Sequence, residues 1–167
     1  IKSTDQKVTE FLPWIRREGF DHISIEHLLN MRSGIRFNES YSNPFGGAAK
    51  FYYGINLKKY VARLKIKEPP NLQYHYNSAN QQILGFIIEA ATGMKISKYL
   101  EDKLWKPLGM EHNATWNIDS LKHDNVKMFG CLNATPRDFA KFGRLYLHNG
   151  LWNGIQIIPE EWVKRST

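Results

Sequence analysis

A mainly helical chain with long connections is what this sequence predicts, and three observations carry that expectation. Several segments repeat apolar residues at helical spacing. Most of them open on a capping residue or close on a stop signal. Strand-like signals are confined to short pieces, such as Ile155 to Ile158 and the region around Met128.

Taken in order, Ser24 is placed to cap a short helix carrying Ile25, Leu28 and Leu29, which ends near Ser33-Gly34. The span from Arg36 to Asn56 is rich in Gly, Asn, Ser and aromatics. An ordered connection of that length is usually functional or braced from outside. Asn56 caps a second helix with Leu57, Tyr60, Val61 and Leu64 on one face. Pro69-Pro70 then breaks the chain into an extended approach to Tyr74. Ser78 and Gln81 have capping-box spacing, Ile83, Leu84, Ile87, Ile88 and Ala91 form the expected buried stripe, and Gly93 stands at a left-handed C-terminal stop. Ser97 starts a helix through Tyr99, Leu100, Leu104 and Trp105 that Pro107 ends. Thr135-Pro136 pairs an N-cap with proline at the first helical position, ahead of Phe139, Phe142, Leu145 and Tyr146. Pro159 with Glu160 and Glu161 opens the last helix, with acid at its positive end.

Composition narrows the function classes. At 167 residues the chain supports one core. No apolar run approaches the length of roughly 18 residues that a bilayer span needs. The charge of +7 comes from 23 basic and 16 acidic residues, scattered without a dense basic block. A solvated basic surface is therefore favoured over a nucleic-acid site. The lone Cys131 excludes an internal disulfide and any multi-cysteine metal site, and no histidine pair has metal-ligand spacing. No phosphate-loop or dinucleotide fingerprint occurs, and no cofactor is implied.

The chemistry concentrates in "YHYNSANQQILGFIIEAATG", where Tyr74, His75, Tyr76, Asn77 and Ser78 crowd a helix entrance. Read alone, Tyr76 fits a core aromatic beside Tyr74 on one face of an extended segment. This stretch, with "ISIEHLLNMRSGIRF" and "CLNATPRDFAKFGRLYLHNGLWNGIQIIPEEWVK", resembles the serine β-lactamase and penicillin-binding-protein-like superfamily, in its class C β-lactamase, esterase and amide-hydrolase branch.

The resemblance implies an α/β (α+β) fold of the β-lactamase/transpeptidase type, of which this chain is a single partial domain, a central portion supplying the helical subdomain and its connections. It implies a serine hydrolase that opens an amide or ester through an acyl-enzyme, and an exported, periplasmic or secreted location. It makes Tyr76 the catalytic-type tyrosine of a Tyr-x-Asn-like motif, with Ser78 where many relatives carry Asn, and His75 and Asn77 as candidate substrate contacts. A phenol titrates near roughly 10, so such a base needs cations beside it, which the family draws from lysines of its other motifs. Those motifs are missing. No serine here is followed by lysine three positions on, and His148-Asn149-Gly150 reads as a helix stop, not as the Lys/His-Thr/Ser-Gly strand. The chain is therefore expected to lack the nucleophile, to be inactive alone, and to have the remaining parts of the same hydrolase domain as its partners, with a small molecule or peptide as substrate. The alternative is a catalytically dead domain of the same descent that binds a peptide or cell-wall ligand. A basic nucleic-acid binder is the weakest reading.

Overall fold

Helices form around buried faces and short antiparallel ladders tie their connections together in the computed structural model, which describes residues 1–15 and 17–167. The helices are α1 (Val8–Phe11), α2 (Ile25–Leu29), α3 (Gly47–Tyr53), α4 (Leu57–Val61), α5 (Ser78–Thr92), α6 (Ile96–Leu100), α7 (Pro136–Leu147) and α8 (Glu160–Ser166). Three two-residue ladders accompany them: β1 (Ile35–Arg36) with β2 (Lys65–Ile66), β3 (Thr115–Trp116) with β4 (Leu132–Asn133), and β5 (Leu151–Trp152) with β6 (Ile155–Gln156). No described helix is long and apolar enough to cross a membrane.

Two units divide the chain: Ile1–Met94 with Asn117–Cys131, and Lys95–Trp116 with Leu132–Thr167. The first is organised on α5, which packs against α1 and α2. Val8, Leu12, Ile15, Phe20, Ile23, Leu28, Ile83 and Ile87 are buried in its core. Ala91, expected in the buried stripe of α5, is exposed, and Asn80 and Gln82 are fully buried instead. Both polar residues are satisfied. Asn80 accepts from Ser33 Oγ at 2.7 Å, while Gln82 donates to the Val126 carbonyl and accepts from the Met128 amide, both at 3.0 Å. An apolar-only pattern overlooks such residues, because hydrogen bonding removes the cost of burying them.

Several caps match expectation. Ser24 accepts from the His27 amide, Asn56 from Lys59, and Gly93 closes α5 at φ 68°. Two local expectations fail. The Arg36 to Asn56 span contains α3, and the region around Met128 holds no strand beyond an isolated bridge between Ile118 and Val126. Asp119 braces the entrance of α4 by accepting from the Leu57 amide at 2.8 Å. Although burial alone pushes that carboxyl up, hydrogen bonds from Asn125, Leu57 and Ser120 hold it below its ordinary value.

In the second unit Leu108, Leu145 and Trp152 form the core, with Ile157 and Ile158 against it. Thr135 caps α7 with Pro136 at its first position, as expected. The helix expected from Ser97 starts one residue earlier, at Ile96, and runs on as a π-helical turn, Glu101–Trp105. Asp138, fully buried, accepts from the Glu111 amide at 2.7 Å, the His112 amide at 3.2 Å and the Thr135 hydroxyl at 2.9 Å.

Candidate active site

The entrance of α5 shows how the polar cluster is held. Asn77, not Ser78, is the N-cap: extended at φ −152° and ψ 105°, it accepts from the Ala79 amide at 2.9 Å. Its amide nitrogen donates to the Ile35 carbonyl at 2.9 Å, so both ends of this buried side chain are engaged within the protein. The capping box with Gln81 does not form, and the Gln81 side-chain oxygen is buried with no hydrogen-bond partner among the described residues. Asn77 wins because its short amide already closes the first turn, leaving Ser78 to point elsewhere.

Ser78 turns toward Glu39. Its backbone N–H donates to Glu39 Oε1, and its hydroxyl donates to Oε2 at 3.1 Å. A carboxylate at a helix N-terminus takes up amides that would otherwise lack partners and faces the positive end of the peptide dipoles. With its proton committed to Glu39, the Ser78 hydroxyl retains only acceptor capacity.

Tyr76 is half exposed, at 51%, whereas the next two residues, Asn77 and Ser78, are almost completely buried. On its other side the His75 amide donates to the Met31 carbonyl at 2.8 Å. The phenol is thus an outward-facing group on a backbone pinned at both neighbours. His75 Nε2 lies 3.1 Å from Gln73 Oε1 and 3.4 Å from Glu68 Oε1. Both are acceptors, so a proton on that nitrogen would have Gln73 as its hydrogen-bond partner and Glu68 nearby. Tyr74 also faces solvent.

His75, Tyr76 and Asn77 line a cleft of about 180 Å³ whose other wall runs from Met31 through Ser33 to Phe37, with Glu39, Lys67 and Glu68 completing it. Ser78 lies behind this lining, joined to it through Glu39. The cleft wall is anchored to α5 by the Ser33–Asn80 hydrogen bond. At the wall's edge Met31 holds a left-handed φ of 56°, and its carbonyl is the one that receives His75. Such a backbone conformation is rare for a long side chain. Gly34 shares it and lets the strand pass against the Glu68 carbonyl, where a Cβ would collide.

Tyr41, Tyr52 and Cys131 complete the surroundings. The Cys131 sulfur first, then burial, raise the Tyr52 phenol above its ordinary value, and Tyr41 and Tyr76 add to the effect. None of these residues, nor Glu39 or Glu68, stood out in the sequence as part of the site, Cys131 being notable only as the lone cysteine. Glu39, Tyr41 and Cys131 come from connections far from residue 76 in sequence, Tyr52 from α3 and Glu68 from the segment after β2, and no local periodicity marks them as a site. For Glu39, Tyr41 and Tyr52 only the Gly- and Asn-rich character of the 36–56 span pointed to their neighbourhood. Among the described residues no cluster of His, Cys, Asp and Glu could hold a metal ion.

Known proteins share this architecture. The chain is 26% identical over 170 residues to 6-aminohexanoate-dimer hydrolase of Paenarthrobacter ureafaciens, covering 95% of this chain and 43% of that protein. A solved structure from Bacillus anthracis superposes with a TM-score of 0.86 at 22% identity, over 98% of this chain and 46% of the other. A class C β-lactamase superposes at 0.65 with 18% identity, over 93% and 46%. These likenesses show a β-lactamase/transpeptidase-like fold, and the chain spans less than half the length of each of the three. The Beta-lactamase family model matches residues 2–167, and the chain belongs to that family.

Proposed function

We propose that these residues are part of a serine hydrolase that cleaves an amide or ester through an acyl-enzyme, with Tyr76 as its proton-transfer group. The observation that carries this reading is the phenol of Tyr76, exposed at a cleft while its backbone is pinned at His75 and Asn77. A core aromatic would be covered, and this residue is half exposed. The name of the Paenarthrobacter relative, a 6-aminohexanoate-dimer hydrolase, points to an amide as the substrate class.

In this reading a serine hydroxyl attacks the carbonyl carbon, forming the C–O bond of a tetrahedral oxyanion, and gives its proton to Tyr76 acting as a phenolate. That form needs cations from the rest of the domain beside it. The intermediate collapses as the C–N or C–O bond to the leaving group breaks, and the Tyr76 proton goes to that amine or alkoxide. Water then attacks the acyl carbon and gives a proton to Tyr76, the bond to the serine oxygen breaks, and Tyr76 passes the proton to that oxygen as the acid departs. His75 faces the substrate beside Tyr76. Asn77 and Ser78 act chiefly by fixing the turn that carries the phenol, with Ser78 held behind the cleft lining by Glu39.

The stretch belongs to the helical part of one partial hydrolase domain, exported as in much of the family. It holds no Ser-x-x-Lys, so the 167 residues alone form no acyl-enzyme and require the rest of the domain. Tyr76→Phe in the full-length protein tests the assignment. We expect kcat/KM on an amide to fall by about 10²- to 10⁴-fold, the usual loss of a positioned acid–base group. The unfolding temperature should stay unchanged, since the lost hydroxyl belongs to an exposed side chain. An unaltered kcat/KM removes Tyr76 from the mechanism.

A further inference from the structure

A second groove, of about 700 Å³, opens in the same unit and is lined by four cations: Arg36 on β1, Lys50 on α3, Arg63 after α4 and Lys65 on β2. No carboxylate lines it, and no ion pair joins any of the four to an acid among the described residues. Arg36 and Lys65 are direct cross-strand partners in the β1–β2 ladder. Like charges placed opposite each other in a ladder are destabilising, and nothing in the pairing of these strands demands them. The groove also has aromatic walls, with Phe45 82% exposed at its edge and Tyr60 along it. Arg36 and Phe37 also belong to the wall of the first cleft. A protein that keeps an unfavourable charge pair beside exposed aromatic surface, with no carboxylate in the groove, is arranged for a ligand that supplies both.

We propose that this groove binds an extended organic anion carrying two or more carboxylates along an apolar backbone, such as an acidic peptide. A compact inorganic anion would meet only part of so wide a ring of charges and would leave the aromatic walls wet. Arg36 and Arg63 offer forked donors matched to carboxylates, and the lysines add point charges. The site stands independently of the Tyr76 reading, since its test measures binding and not turnover.

Calorimetric titration of the full-length protein with acetylated tetraglutamate amide, at physiological ionic strength, is the test. The Lys50→Gln, Arg63→Gln pair should weaken binding by about tenfold or more, as expected when charge-assisted contacts are lost. Removing the same charge elsewhere, with Lys103→Gln and Lys122→Gln, should change it less than about twofold, because salt screens long-range attraction. Lys65→Thr should weaken binding while holding or raising the unfolding temperature, because it ends the like-charge pair. No binding, or equal weakening by both charge-removal pairs, overturns the site in favour of simple net-charge attraction. Tighter binding of a tetrathymidylate than of the peptide, by about tenfold or more, overturns it in favour of a nucleic-acid surface.

Discussion

Glu39 reaches across 39 positions of sequence to the first turn of α5, accepting from both the amide and the hydroxyl of Ser78. Glu39→Gln keeps the shape but replaces one acceptor oxygen with an NH2 that faces donors. Charge-assisted bonds of this kind are worth about 1.5–3 kcal/mol, and a loss toward the lower end is expected for a partly exposed pair. Urea denaturation of the variant measures it, and an unchanged midpoint would show that the carboxylate does not hold the helix entrance. Gly34→Ala should be worse. It combines a left-handed φ of 71° with a collision against the Glu68 carbonyl. Backbone strain and a displaced neighbour together cost on the order of 2 kcal/mol or more. The same denaturation curve checks it, and Gly34→Ala should also disturb the cleft, because the Gly34 carbonyl receives the Lys67 amide at 2.8 Å.

Among the elements, α7 depends most visibly on one titratable group. The Glu111 amide, helped by the Thr135 hydroxyl, the His112 amide and nearby Lys141, holds the Asp138 carboxyl below its ordinary value even though burial opposes this. A carboxyl whose folded value is depressed contributes stability that is complete above the unfolded value, about 3.9, and is lost as pH falls below that toward the folded value. Asp138→Asn should therefore lower the unfolding temperature at neutral pH by several degrees and flatten the acid side of the stability profile. Parallel profiles for the two proteins would refute this. The element itself was legible in sequence, because Thr135-Pro136 announces a helix start locally. Its partner Glu111 was not, since that contact is made 27 positions away. Helix α3 was missed for a related reason. Its Gly-Gly start carries no side-chain cap, and Ala48 and Phe51 become a buried face only once packed in the first unit.

For the whole molecule, the 167 residues contain an exposed phenol and a cleft but no serine–lysine pair at the family spacing. Incubation with a fluorophosphonate probe, followed by mass spectrometry of the intact chain, should reveal no adduct. A stoichiometric adduct on a serine would reveal a nucleophile that the proposed mechanism does not place within these residues. Helix caps, the mainly local order of the elements, Tyr76 at the entrance of α5 and membership of the β-lactamase family all rest on residues close together in the chain. Their physics is short-ranged: a cap bonds two or three positions on, and a family motif is a run of neighbours. Which of Asn77 and Ser78 caps the helix, the burial of Asn80 and Gln82, and the arrival of Glu39 at Ser78 depended on folding. So did the gathering of four cations round one groove, because each contact joins segments whose separation in sequence carries no trace of their distance in space.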